Sequence, residues 1–132
     1  MEQLIAGATT TPVDVDVNNF MSEVIDGSAT TPTVVQFWAP WCGPCKQLGP
    51  VLEKVVAASN GKVRMVRVNI DENNEIAAQM RVQSVPTVYG FVEGKPVDGF
   101  SGAQPESAVR QFIDKLSTMG VAGADLAQVL DA

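Results

Sequence analysis

The chain has only two cysteines, Cys42 and Cys45, and two residues separate them. They lie in Trp41-Cys42-Gly43-Pro44-Cys45-Lys46, where a strand-like run over residues 33–38 gives way to a helix-like run beginning near Cys42. A thiol at the start of a helix faces unpaired backbone N–H groups and the positive end of the helix dipole, and both favour the thiolate. The thiolate is the nucleophile of disulfide exchange. A second thiol one turn further on can close the ring and expel a bound partner.

The same spacing admits two other chemistries. A structural zinc site needs about four ligands. With two cysteines and no histidine, the chain offers half of one, to be completed only across a dimer. A permanent structural bridge would close so short a loop that it removes little entropy from the unfolded chain. A redox-active pair is the reading the residues favour.

The pair must be held by the elements around it. Val13, Val15 and Val17 alternate with aspartates as in a short strand with one wet face. Asn18 or Asn19 can cap a helix carrying Phe20, Val24 and Ile25 and ending near Gly27. A buried strand over 33–38 is followed by a helix over about 42–59, apolar at Leu48, Leu52, Val55 and Val56, with Pro50 inside it as a source of kinking. A largely apolar strand over 63–68 leads to a short helix over 73–80, with Ile76, Ala77 and Met80 inward. Runs at 87–92 and 97–101 flank Glu93-Gly94-Lys95-Pro96, a hairpin signal, and Pro96 places the second run at an edge or its own start. Pro105 opens a last amphipathic helix with Val109, Phe112, Ile113 and Leu116 on one stripe. The order β-α-β-α-β-α-β-β-α predicts an α/β fold: a five-stranded, mixed parallel and antiparallel sheet with helices on both faces. Residues 1–12 read as a loose tail and 13–117 as one domain. Residues 118–132 read as a linker followed by the start of a further helix, so the chain is expected to continue past Ala132.

Composition narrows the function. The chain has 132 residues and a formal net charge of -6, which argues against a nucleic-acid partner. No apolar run reaches the ~20 residues needed to span a bilayer. No basic segment followed by a long apolar stretch opens the chain, so a secretory leader is not expected. A lone cysteine pair without a leader favours a reducing cytoplasm. The acidic cluster Asp71-Glu72-Glu75 reads as a complement to a helix dipole, with nothing that demands a metal. There is no P-loop and no dinucleotide fingerprint, so no cofactor is expected and electrons must arrive through another thiol.

Several segments together resemble the thioredoxin family. These are Phe37-Trp38-Ala39-Pro40-Trp41-Cys42-Gly43-Pro44-Cys45-Lys46, Asn69-Ile70-Asp71, Val85-Pro86-Thr87 and Gly102-Ala103. The stretches Pro86-Thr87-Val88-Tyr89-Gly90-Phe91, Gly94-Lys95-Pro96-Val97-Asp98-Gly99-Phe100 and Gln104-Pro105-Glu106-Ser107 are similar to a narrower group, the bacterial co-chaperedoxins. Those proteins join such a domain to C-terminal tetratricopeptide-type repeats. The resemblance implies that Cys42 attacks and Cys45 resolves, a division the helix position also supports, with the more N-terminal thiol expected to be the more exposed. It implies that Gly43-Pro44 sets a reducing poise and that Val85-Pro86 is a cis-proline segment facing the cysteines. Trp41, Gly102 and Ala103 are then expected to line a shallow client groove with Val85, while Trp38 packs beneath.

One position departs from the family. Gln36 stands where a buried aspartate usually exchanges a proton with the resolving cysteine, and an amide does not titrate. Gln36 reads either as a tuning residue or as a buried amide satisfied by its neighbours. Arg67, at the place of a lysine that accompanies that acid, is expected to turn to solvent. Lys46 reads as a stabiliser of the Cys42 thiolate or as solvated surface. Three functions stay open. They are a client-protecting co-chaperone with thiol-bearing clients and possible chaperone partners, a general disulfide reductase recycled by thioredoxin reductase or small thiols, and a scaffold with an idle pair. A bacterial cytoplasmic setting accompanies the first.

Overall fold

The structure is a computed structural model describing the backbone of residues 12–131 and the side chains of residues 12–120. The tail expected over 1–12 lies outside the described residues except for Pro12. Five strands form one sheet: β1 (Val13–Asp14), β2 (Thr33–Trp38), β3 (Arg64–Asn69), β4 (Thr87–Val92) and β5 (Lys95–Ser101). Their spatial order is β1-β3-β2-β4-β5. β1, β3 and β2 run parallel, whereas β4 is antiparallel to β2 and β5 antiparallel to β4. The four helical segments are α1 (Met21–Asp26), α2 (Gly43–Ala57), α3 (Asn74–Gln79) and α4 (Glu106–Asp131).

Alternation along β2 divides the core. Val34 joins α2 and α4 through Leu48, Leu52, Ile113 and Leu116. Val35 and Phe37 face the other way, toward Val24 of α1 and Ile76 of α3. Because side chains alternate across a strand, Gln36 and Trp38 share the Val34 face. Gln36 pairs with Arg67 of β3 and Val88 of β4, at the centre of the sheet.

Four local expectations need correction. The alternating valines do not make a five-residue strand, because β1 has two residues and only Val15 is buried while Val13 and Val17 are exposed. The first helix is wound as a π-helix and runs into a 3-10 turn at Gly27–Ala29. That close turn seats Arg64, whose guanidinium bonds Glu23 and Thr33 Oγ1; a Cβ at Gly27 would strike it. The β4–β5 turn is the two residues Glu93 and Gly94, with φ of 54° and 79°. Paired positive φ values match the twist of a tight hairpin, so β5 begins at Lys95 and Pro96 sits within the edge strand. Finally, α4 is helical through the residues expected to form a linker. A Cβ at Gly120 would lie 2.8 Å from Pro32 Cγ, so that glycine permits close packing where composition suggested a flexible joint.

Two ties fasten α2 to α4 and α4 to the sheet. Glu106 bonds Lys54 of α2 and Arg110 of its own helix, and Lys115 pairs with Asp98 at 3.1 Å. The bond from Arg110, and then that from Lys54, holds the Glu106 carboxyl below the usual carboxylate range. Stability linked to it is present above the ordinary carboxylate pKa and fades as pH falls through the lowered value.

Gly90 fixes how closely α4 approaches β4, because a Cβ there would lie 2.6 Å from Leu116 Cδ2. Gly90→Ala is expected to cost about 1–3 kcal/mol by overpacking. Leu116→Ala should cost about 2–5 kcal/mol. In urea unfolding, the double variant should lose less than the sum, since the new methyl occupies vacated space.

Candidate active site

The backbone leaves β2, turns at Ala39–Trp41 and enters α2 with Cys42 as its N-cap, φ -89° and ψ 108°. The Cys42 amide donates to Ala39 O at 3.0 Å, which closes the turn. Pro44 falls in the first helical turn, where a missing N–H leaves no helical bond unmade. Cys45 is then the third helical residue, and its N–H donates to Cys42 Sγ at 3.1 Å. The two cysteines are joined as a disulfide. On reduction, that N–H and the helix end favour the thiolate at Cys42.

The helix-end argument for Cys42 therefore holds, but the exposure argument does not. Cys42 is 3 % exposed and Cys45 5 %, so neither sulfur-bearing residue stands proud of the surface in the disulfide state. Both pack with Ala39 in a small apolar cluster, against which Trp38, Ile70 and Val85 also lie. Ile70 was not singled out from sequence as a site residue, although it belongs to the Asn69-Ile70-Asp71 stretch. It arrives here because the β3–α3 loop begins beside the β2–α2 loop, with its N–H bonded to Trp38 O.

The rim is exposed. Trp41 is 67 % accessible, and its indole N–H donates to both carboxylate oxygens of Asp71, at 3.1 and 3.3 Å. Asp71 is thus more than a helix-dipole partner, a role that only the fold reveals. Gly43, Pro44 and Lys46 are also exposed, and Lys46 makes no ion pair among the described residues. The Val85–Pro86 peptide is cis. Gly102, at φ 84°, donates its N–H to Pro86 O at 2.9 Å, which brings the end of β5 and exposed Ala103 alongside that loop.

Behind the pair, Gln36 is fully buried and neither amide atom has a partner among the described residues. No protein group among the described residues answers the amide. A Cβ on Gly49, one helical turn after Cys45, would lie 3.8 Å from Gln36 Nε2, which sets the amide against α2 just below the resolving cysteine. Arg67 does not simply turn to solvent. Its guanidinium lies 4.3 Å from the centre of the Trp38 ring, within cation–π range, and its Nε is buried without a partner. Trp38 Nε1 is likewise unpartnered. These four atoms, all on one face of β2 and β3, are the orphaned buried side-chain polar atoms among the described residues.

Paired cysteines at the head of a helix on a mixed sheet, beside a cis-proline loop, form a centre for thiol–disulfide exchange. A family model described as Thioredoxin matches residues 11–115. The chain is 40% identical over 98 residues to "Thioredoxin 1" of Nostoc sp., covering 74% of this chain and 90% of that protein. It is 44% identical over 82 residues to "Thioredoxin" of Staphylococcus aureus, covering 62% of this chain and 79% of the relative. The crystal structure of Malassezia sympodialis thioredoxin (Mala s 13) superposes with a TM-score of 0.72 at 31% identity, over 81% of this chain and 91% of that one. The chain belongs to the thioredoxin family. It is accordingly a thiol–disulfide oxidoreductase of a family that acts on protein thiols and disulfides and is reduced by thioredoxin reductase. Among the described residues, no helix is long and apolar enough to cross a membrane.

The orphaned amide gives a direct stability test. Replacing both polar atoms by an apolar group of similar shape, Gln36→Met, is expected to stabilise the oxidised protein by about 1–2 kcal/mol. The urea midpoint should rise with an unchanged slope.

Proposed function

We propose that this protein is a thioredoxin that forms mixed disulfides with client proteins at Cys42 and resolves them slowly through Cys45, as a co-chaperone that shelters client thiols. Cys42 thiolate attacks a client disulfide, forming one S–S bond and releasing one client thiolate, which takes up a proton. Cys45 then loses its proton and attacks Cys42 Sγ. The client leaves as a second thiol, two electrons have passed to it, and Cys42–Cys45 is the oxidised product. Thioredoxin reductase or a small thiol returns the electrons.

The observation that carries this reading is Gln36 of β2, buried, without a partner among the described residues, and set against the turn of α2 that follows Cys45. An amide neither takes nor gives a proton in this pH range, so the second attack lacks a built-in base. The first attack relies on the helix end alone and is unaffected. Val85, packed against the cysteine cluster, is placed to pair its backbone with an extended client segment, while Trp41, Gly102 and Ala103 flank that path. Residues 13–117 form the exchange domain in this proposal, working in the bacterial cytoplasm, with chaperones as further partners. A second reading, a general disulfide reductase, is favoured by the full Trp-Cys-Gly-Pro-Cys-Lys motif and by relatives named thioredoxin.

Turnover separates the two. The wild type should reduce a model protein disulfide slowly, and Gln36→Asp should speed that reduction severalfold near pH 7, read as multiple-turnover rate with thioredoxin reductase. Cys45→Ala should accumulate client adducts through Cys42 on non-reducing gels, and Cys42→Ser should reduce exchange to background. Fast wild-type turnover that Gln36→Asp does not raise, with no trapped clients, would leave the general reductase as the function.

A further inference from the structure

A groove of about 410 Å³ adjoins the cis-proline loop, and its lining includes Arg81, Ser84, Thr87, Tyr89, Gly99 and Ser101. Ser84 precedes Val85 and Thr87 follows Pro86, so the groove continues from the backbone that a client strand would pair with. Ser101 precedes Gly102, whose N–H is already bonded to Pro86 O. Its floor is the Tyr89 ring, fixed by a hydrogen bond from the phenol to Met80 O at 2.9 Å. Gly99 pairs with Tyr89 across β5 and β4. A Cβ on Gly99 would lie 2.8 Å from Val88 O and 3.1 Å from Tyr89 Cδ1, so glycine keeps the floor uncovered.

Arg81 brings the only charge to this lining. It is exposed and makes no side-chain hydrogen bond or ion pair among the described residues. It also holds φ 59°, the left-handed conformation, just after α3. Glycine fits that backbone more easily than any residue with a Cβ. An arginine therefore occupies a position that backbone geometry alone would give to glycine, and its guanidinium is available to a groove walled by hydroxyl groups.

We propose that this groove is a specificity subsite for clients that carry a carboxylate near the reacting cysteine, with Arg81 as the residue that selects it. The inference rests on the exchange reading above. A client strand passing Val85 advances roughly 3.3 Å per residue. The subsite would take a side chain a few residues from the attacked cysteine, on the stretch that continues past Ser84 or Thr87. A guanidinium recognises a carboxylate through paired N–H donors, and Tyr89 supplies an apolar floor for the stem of a glutamate. The chain's net charge of -6 opposes acidic clients at long range, so the preference arises at contact and is isolated by comparing variants at position 81.

The test uses disulfide-linked peptides in which one residue, Glu or Lys, is moved through the three positions on either side of the reacting cysteine. The readout is the Glu:Lys ratio of kcat/KM within each protein variant, which cancels any general change in reactivity. Wild type should prefer Glu by about two- to fivefold at one or more positions, as expected for exposed charge pairs. Arg81→Gly, which suits the left-handed backbone, should bring the ratio close to one, and Arg81→Asp should invert it. Reduction of neutral hydroxyethyl disulfide by the wild type is the parallel control. Normal reduction of it, with equal rates on Glu and Lys peptides at every position, would overturn the subsite alone. No reduction of it would overturn the exchange reading and the subsite together.

Discussion

The reactive end of this protein depends on one contact, the Cys45 N–H donated to Cys42 Sγ across the first turn of α2. It needs a strand that ends where a helix begins, a residue at the boundary in extended conformation, and a helix whose first turn tolerates proline. β2 meets the first demand because it is central, paired with β3 on one side and β4 on the other, so its C-terminal end is held in place from both sides. A cysteine at an N-cap takes the place of the usual hydroxyl or carboxylate. The same backbone donor that would be capped in any helix here meets a sulfur.

That contact also explains why the neighbouring loops matter. The β3–α3 loop supplies Ile70 beneath the sulfurs and Asp71 beside Trp41, while the β4 end supplies Val85. Three segments far apart in sequence converge because β3, β2 and β4 are adjacent in the sheet. The pair is thus enclosed on its sheet side and open on its rim, which is where a partner must arrive.

Much of this was legible from residue types. Strong periodicity placed β2, α2, β3, α3 and β4 to within a residue or two, and the cysteine spacing at a strand–helix junction announced the chemistry. What escaped the sequence depended on partners across space. The valines around Asp14 and Asp16 alternate, yet only Val15 finds a buried surface, because β1 pairs with β3 for just two residues. The helix expected from Phe20 to Ile25 is π-wound, a choice that local propensity does not encode. Glycine and serine after Leu116 resembled a joint, whereas Gly120 answers the proximity of Pro32. The low exposure of Cys42 follows from its neighbours and not from its position on the helix. Gln36 was legible as an anomaly, but its lack of partners could be learned only from the packed interior.

That interior has an evolutionary reading. Selection for folding alone favours positions whose polar atoms are answered or absent. At Gln36 the amide atoms have no protein partner among the described residues, so the interior carries a polar group that folding alone does not call for. Laboratory evolution for heat tolerance, with no requirement for exchange, would abandon the glutamine early. Evolution for rapid turnover would leave it for an acid. Under either pressure taken alone, position 36 would hold something other than glutamine.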